Sequence, residues 1–215
     1  MTTFLQATNS VLARLRENSV STVSSSAYSS LIGKFINDAK RAVEDAWNWD
    51  ALQTSITVTT TPGTSLYVVT GSGRRFKDVS VNDTTNRVPL ANVPSKWITD
   101  QQELSNVQNG GPVYYAWNGT DGTDSKMEFY PTPDGAYTIK VAACVPQVDL
   151  VNDADIITIQ SEAIIQGAYA RAIAERGEDG GMQSSEAVAL YRNILADQIA
   201  IESTRQCEND SWCAV

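Results

Sequence analysis

Along the chain the spacing of apolar residues changes twice. Phe4, Leu5, Thr8, Val11, Leu12 and Leu15 recur every three or four positions. After the Ser/Thr-rich stretch "NSVSTVSSS", a longer stripe runs through Tyr28, Leu31, Ile32, Phe35, Ile36, Ala39, Val43, Ala46 and Trp47. That spacing gathers side chains on one helical face and predicts two amphipathic helices. The serines between them supply N-cap candidates, because a hydroxyl accepts from the unpaired N–H groups of a first turn. Gly33 weakens the second helix slightly, and "WNWDAL" should end it, with Trp47 as the last core residue of the stripe.

From Gln53 to about Val148 the period falls to two. Ile56–Val58 and Leu66–Val69 read as two short strands of a hairpin about a Pro62–Gly63 turn. "FKDVSVNDTTNRVPL" reads as a hairpin turning at Asn82–Asp83, and a short helix is expected between Pro94 and Leu104. "GGPVYYAWNGTDGTDSKMEFY" is a further hairpin, and "MEFYPTPDGAYTIKVAAC" reads as one more. Alternation on both sides of a Pro/Asp/Gly cluster is the usual hairpin signature. Helical spacing then returns. Ile165, Ala168, Tyr169, Ala172 and Ile173 form one stripe, with Gly177 as its stop. Ser184–Ser185 can cap a last helix carrying Val188, Leu190, Tyr191, Ile194, Leu195, Ile199 and Ile201.

A helix with one apolar stripe cannot bury it alone. The expected fold is therefore α+β: a four-helix bundle from the N- and C-terminal helix pairs, with an inserted antiparallel β module. The boundaries read as 1–52 for the first pair, 53–150 for the β module, 151–206 for the second pair and 207–215 for a tail.

Composition narrows the chemistry. The 215 residues include no histidine, which removes Ser–His and Cys–His nucleophiles and His-ligated zinc. A net charge of −9 argues against a protein that grips DNA, since phosphate affinity comes from clustered Lys and Arg. No apolar run approaches the roughly 20 residues of a membrane span, and "MTTFLQATNS" does not read as a secretory signal. The expected setting is a cytoplasm, or a particle assembled there.

Few residues look chemical. The acid pairs Asp153/Asp155, Glu178/Asp179 and Glu44/Asp45 fall at helix ends, turns or solvent faces, where such residues cap or are solvated. Gly71–Arg75, "GSGRR", lacks the Lys-Ser/Thr ending of a phosphate loop and precedes a strand. Trp97, Tyr114, Tyr115 and Trp117 could stack against a sugar, although aromatics of this kind are more often core or protein anchors. Cys144 reads as a small buried hydrophobe. The three cysteines are too few and wrongly spaced for a four-ligand metal site, and Cys207 and Cys213 could pair, although assembly in a cytoplasm argues for free thiols. No catalytic, cofactor or metal residue is expected.

Three stretches carry a resemblance: "AWNWDALQTSITVTTTPGTSLYVV", "GGPVYYAWNG…KMEFYPTPDGAYTIKVAACVPQVDL" and "SEAIIQGAYARAIAERGED". Their order and spacing resemble the head-to-tail adaptors of T7-like short-tailed bacteriophages, also called tail tubular protein A or gatekeeper proteins. The resemblance covers nearly the whole chain and contains no catalytic fingerprint. It implies a homo-oligomeric ring, a dodecamer, seated beneath the portal protein and above a nozzle similar to tail tubular protein B. Tail fibres can seat at its rim, and double-stranded DNA passes through without specific binding. A stopper or tail-completion protein of another tailed phage, or a carbohydrate- or receptor-binding module, is the alternative. The tail from Gln206 carries Trp212, a favoured interface anchor, and the resemblance points it at the portal.

Overall fold

Thr3 opens the first helix with a reciprocal cap. Its hydroxyl accepts from the Gln6 N–H at 3.2 Å, and the Gln6 side chain accepts from the Thr3 N–H at 3.0 Å. The computed structural model describes residues 1–103, 107–177 and 181–205, and it is a mixed α+β fold of five helices and two sheets. Helix α1 is Phe4–Arg14 and α2 is Ala27–Ala46. Ser26, the last of the serine run, caps α2 in a second reciprocal box with Ser29. The chain divides into two compact units: Met1–Ala51 with the chain from Gln147 onward, and Leu52–Pro146.

The first unit holds α1, α2, α4 (Ser161–Arg176) and α5 (Met182–Ser203). Helix α4 is central and packs on α1, α2 and α5. A single stripe was expected of it, yet burial is continuous from Ala163 to Ala168. A helix with neighbours on several sides must be small or apolar nearly all round, and α4 meets that with alanines and Gly167. A Cβ at Gly167 would lie 3.1 Å from the Tyr191 ring and 3.3 Å from the Ala39 methyl. The missing side chain is what lets α2, α4 and α5 meet there. Gly177, with φ 63°, ends α4 as its sequence predicts. Helix α5 starts one turn earlier than Ser184–Ser185 suggests. Both hydroxyls donate back to the Gly181 carbonyl, at 2.9 and 2.7 Å, from within the first turn.

The core tryptophan is Trp49, which corrects the expectation for Trp47. Helical geometry ends at Ala46, and Trp47 is extended and only half-buried. Trp49 is 3% exposed and its indole N–H donates to the Val43 carbonyl at 2.8 Å. Once the chain leaves the helix the i+4 spacing no longer selects the buried side chain, so the fold-back brings Trp49 over the last turn.

The second unit is two four-stranded sheets whose inner faces share one core. One sheet orders β1 (Gln53–Thr59), β8 (Thr138–Cys144), β3 (Lys77–Asp83) and β4 (Val88–Pro89). The other orders β2 (Leu66–Val68), β7 (Ser125–Tyr130), β6 (Tyr114–Thr120) and β5 (Ala91–Asn92). Val58, Val81, Ile139 and Val141 of the first sheet pack with Tyr115, Met127 and Phe129 of the second. Period-2 alternation places these residues on facing sides of the two sheets. Helix α3, Ser95–Glu103, packs on β6 and β7 and buries Ile98 against Ala116 and Tyr130.

Pairing departs from the sequence reading in four places. β1 pairs with β8 and β2 with β7, so Pro62–Gly63 links the sheets and closes no hairpin. "MEFYPTPDGAYTIKVAAC" is likewise a crossover, with β7 in one sheet and β8 in the other. Both flanks are apolar on alternate positions because each lines the shared core from its own side, which alternation alone cannot distinguish from a hairpin. The β3–β4 turn is Thr84–Arg87, since β3 continues through Asp83, whose carboxylate accepts from the Thr85 and Asn86 N–H groups. Finally, β5 runs parallel to β6, in a module expected to be wholly antiparallel.

Candidate interaction surfaces

The aromatic group Trp97, Tyr114, Tyr115 and Trp117 does not form one platform. Adjacent residues of a strand face opposite sides, and the fold separates Tyr114 from Tyr115 and Trp117. Trp97 packs against Tyr114 and Tyr130, with ring centroids 5.0 and 5.4 Å apart, under α3. On the other face Trp117 meets Phe76 at 4.4 Å. The Tyr115 hydroxyl and the Trp117 indole N–H both donate to one carboxylate oxygen of Asp78, at 2.9 and 3.0 Å. Burial, then the bond to Asp78, raises the Tyr115 pKa above the ordinary tyrosine value. The sugar-stacking reading therefore loses its geometry. Asp78 was not legible as its organiser, because nothing in a charged residue within a strand distinguishes an inward hydrogen bond from a solvated face.

The other candidates are structural. Gly73 donates its N–H to the Asp124 carboxylate at 2.9 Å and its carbonyl accepts from the Ser125 hydroxyl, so Gly71–Arg75 is docked on the β6–β7 loop. Asp121 caps that loop by accepting from the Asp124 and Thr123 N–H groups, and these bonds lower its pKa. Asp153 accepts from the Val23 N–H, and Asp155 from the N–H groups of Asn152 and Val151, which lower its pKa in the same way. Glu44 pairs with Lys40 inside the helical unit. Cys144 is buried. Among the described residues no cluster of His, Cys, Asp and Glu could hold a metal ion, and no helix is long and apolar enough to cross a membrane. Glu178, Asp179, Cys207, Trp212 and Cys213 lie outside the described residues.

A cavity of about 330 Å³ in the helical unit is lined by Arg14, Arg16 and Arg176 over Leu15, Tyr169 and Ile173. Two of these cations are committed internally. Arg14 bonds Glu162 at 2.7 Å and Gln166 at 2.5 Å. Arg176 bonds Glu17 at 2.5 Å and the Tyr28 hydroxyl at 2.8 Å. Such pairing leaves little charge for an anionic ligand.

What remains is apolar surface. Helix α5 packs chiefly on α4 and leaves Met182, Leu190 and Ile201 at 74, 50 and 51% exposure. The connector Gln147–Ile156 presents Val148, Val151 and Ile156. In the β unit neither β7 nor β8 offers an edge, since each has a strand on both sides; the edges belong to β1, β4, β2 and β5. Leu190 and Ile201 read in the sequence as part of a buried stripe. The signal that they are not is that apolar residues surround α5 where one partner covers only one side.

A search of curated proteins finds no match to the chain. The model of one family matches residues 2–211, and on that match the chain belongs to the SU10 adaptor protein family.

Proposed function

We propose that the protein is a structural component of a tailed-phage virion, the adaptor between head and tail. The observation that carries this is the family match across residues 2–211, which leaves almost none of the chain for another role. In this reading the copies close into a ring, a dodecamer as in the T7-like adaptors, with the portal on one side and a tail nozzle on the other. The helices α1, α2, α4 and α5 act as a four-helix bundle, and the β unit supplies further contact surface. Tail fibres seat at the rim. Assembly takes place in the host cytoplasm, and the protein stays in the virion without a catalytic task.

The net charge of −9 suits a wall past which DNA slides, since acidic groups repel phosphates and hold no counterion-release affinity. Trp212 is the proposed anchor to the portal, because a large aromatic in an otherwise polar segment favours burial in a partner. Electron cryomicroscopy of the protein mixed with its portal tests the reading, a ring on the portal being the expected image. Deleting Ser211–Val215 is expected to weaken that attachment while leaving the melting temperature of the free protein nearly unchanged. A deletion that docks normally removes Trp212 from the interface, and failure to bind any portal refutes the adaptor role.

A further inference from the structure

Helix α1 ends in a left-handed turn that a glycine would suit. The Arg16 N–H donates to the Ala13 carbonyl at 3.1 Å, and the Glu17 N–H to the Leu12 carbonyl at 2.9 Å. This pair of bonds closes a helix over a residue of positive φ, a place usually held by glycine because it has no Cβ to strain. Here that residue is Arg16, with φ 60°. At the end of α4 the left-handed residue is Gly177. An arginine in this conformation strains the backbone and adds nothing to the turn, so what it contributes lies in its side chain.

That side chain lines the cavity of about 330 Å³, together with Arg14, Arg176, Tyr169 and Ile173. Gln166, Tyr169, Ile173 and Arg176 are spaced three and four apart on α4 and so share one face, about 15 Å from end to end. Arg14 is fastened at one end, to Gln166 and Glu162, and Arg176 at the other, to Glu17 and Tyr28. Tyr169 and Ile173, both half-buried, form an apolar floor between them. The Arg14 and Arg176 side chains are 32 and 22% exposed, and each guanidinium has more N–H groups than these bonds use. Among the described residues the Arg16 side chain has no hydrogen bond or ion pair.

Charge decides the ligand. Three guanidiniums, Arg14, Arg16 and Arg176, stand with two carboxylates, Glu17 and Glu162, so the cluster carries one positive charge in excess. A carboxylate neutralises it, and its planar pair of oxygens matches a guanidinium fork. A phosphate dianion would leave a negative charge between two acids, and duplex DNA is held by several cations in a row. We infer that the cavity is a binding site for a single carboxylate, received by Arg16 and by the unused N–H groups of Arg14 and Arg176. Tyr169 and Ile173 lie against the carbon chain that carries it. The site goes beyond the adaptor reading and does not depend on it. An acidic side chain of a neighbouring protein chain and a free small molecule offer the same chemistry.

Titration of the free protein with sodium acetate, against sodium chloride at the same ionic strength, tests the inference. Arginine Nε–H resonances are expected to shift saturably, those of Arg16 and Arg176 most. Arg16→Gly relieves the left-handed strain and is expected to melt at or above the wild-type temperature. It should nevertheless bind acetate about tenfold more weakly, the loss of one charge-assisted hydrogen bond. Equal affinity in the two proteins would overturn the inference, as would a shift that chloride reproduces. Inorganic phosphate binding more tightly than acetate would overturn the choice of a carboxylate. Protein mixed with the portal separates the two sources. Fewer rings from Arg16→Gly assign the carboxylate to a neighbouring chain, and rings that form as in the wild type assign it to a small molecule. Failure of the wild type to form rings refutes the adaptor role and leaves the acetate result standing.

Discussion

Lys40 and Glu44, one turn apart on α2, form an ion pair with both side chains fully buried and Nζ 3.2 Å from Oε1. The pair also serves the returning chain. Lys40 donates to the Gln147 carbonyl at 2.6 Å, and Glu44 accepts from the Gln147 N–H at 3.2 Å. Removing one partner leaves a buried charge uncompensated, which costs about 3–5 kcal/mol. Lys40→Met is expected to lower the urea midpoint accordingly. Lys40→Met with Glu44→Leu should recover part of the loss but not all, because Gln147 keeps unpaired backbone groups at about 1–3 kcal/mol each. A double variant no better than the single would show that the backbone bonds, and not the charge pair, carry the effect.

Trp49 and Trp47 should differ sharply. Trp49→Ala opens a cavity under the end of α2 and removes the bond to Val43, so a loss of roughly 3–5 kcal/mol is expected. Trp47→Ala, at a half-buried position, should cost less than half of that in the same denaturation experiment. Equal losses would place both rings in the core.

Much of the architecture was legible, for reasons that differ by element. The helices α1 and α2 followed from their stripes, and the start of α2 from its serine cap, because both signals are local. Gly177 was legible as a stop because only its left-handed φ suits that position. Strand positions were legible too, but their partners were not. Phe129 and Ile139 alternate in the same way whether β7 and β8 pair with each other or face each other across a core. Trp47 continues the helical spacing although the helix ends at Ala46, so the stripe alone points to the wrong tryptophan. For the surfaces, the aromatic residues were visible in the sequence, whereas their division between two sheet faces depended on Tyr114 and Tyr115 sharing one strand.

Alkaline pH should weaken the β unit through Tyr115. Burial and the bond to Asp78 raise its pKa in the folded state, so the neutral hydroxyl is the form the fold prefers. Stability from this group is complete below the unfolded value of about 10 and is lost as pH climbs above it toward the folded pKa. Denaturation midpoints are expected to fall above that pH, and Tyr115→Phe to flatten the fall. At neutral pH the same variant should cost about 1 kcal/mol for the lost hydrogen bond. A Tyr115→Phe protein with the wild-type alkaline profile would assign the effect to Tyr137 or Tyr191, whose pKa values are also raised.

Gly167 sets the separation of three helices, and two substitutions there should diverge. Alanine gains about 1 kcal/mol of helix propensity over glycine. Against that, its methyl would sit 3.1 Å from the Tyr191 ring and 3.3 Å from the Ala39 methyl, so these neighbours must give by a few tenths of an ångström. The opposing effects are of similar size, and Gly167→Ala is expected to melt close to wild type. Gly167→Val adds two more methyl groups in the same gap and has a smaller propensity gain than alanine to offset them. Overpacking of that kind costs about 1–3 kcal/mol, so its melting temperature should fall clearly. Shortening the opposing side chain in the Gly167→Val background, as Tyr191→Ala, should return part of the loss if the clash lies between α4 and α5. No recovery in that double variant would locate the strain on the α2 side, at Ala39.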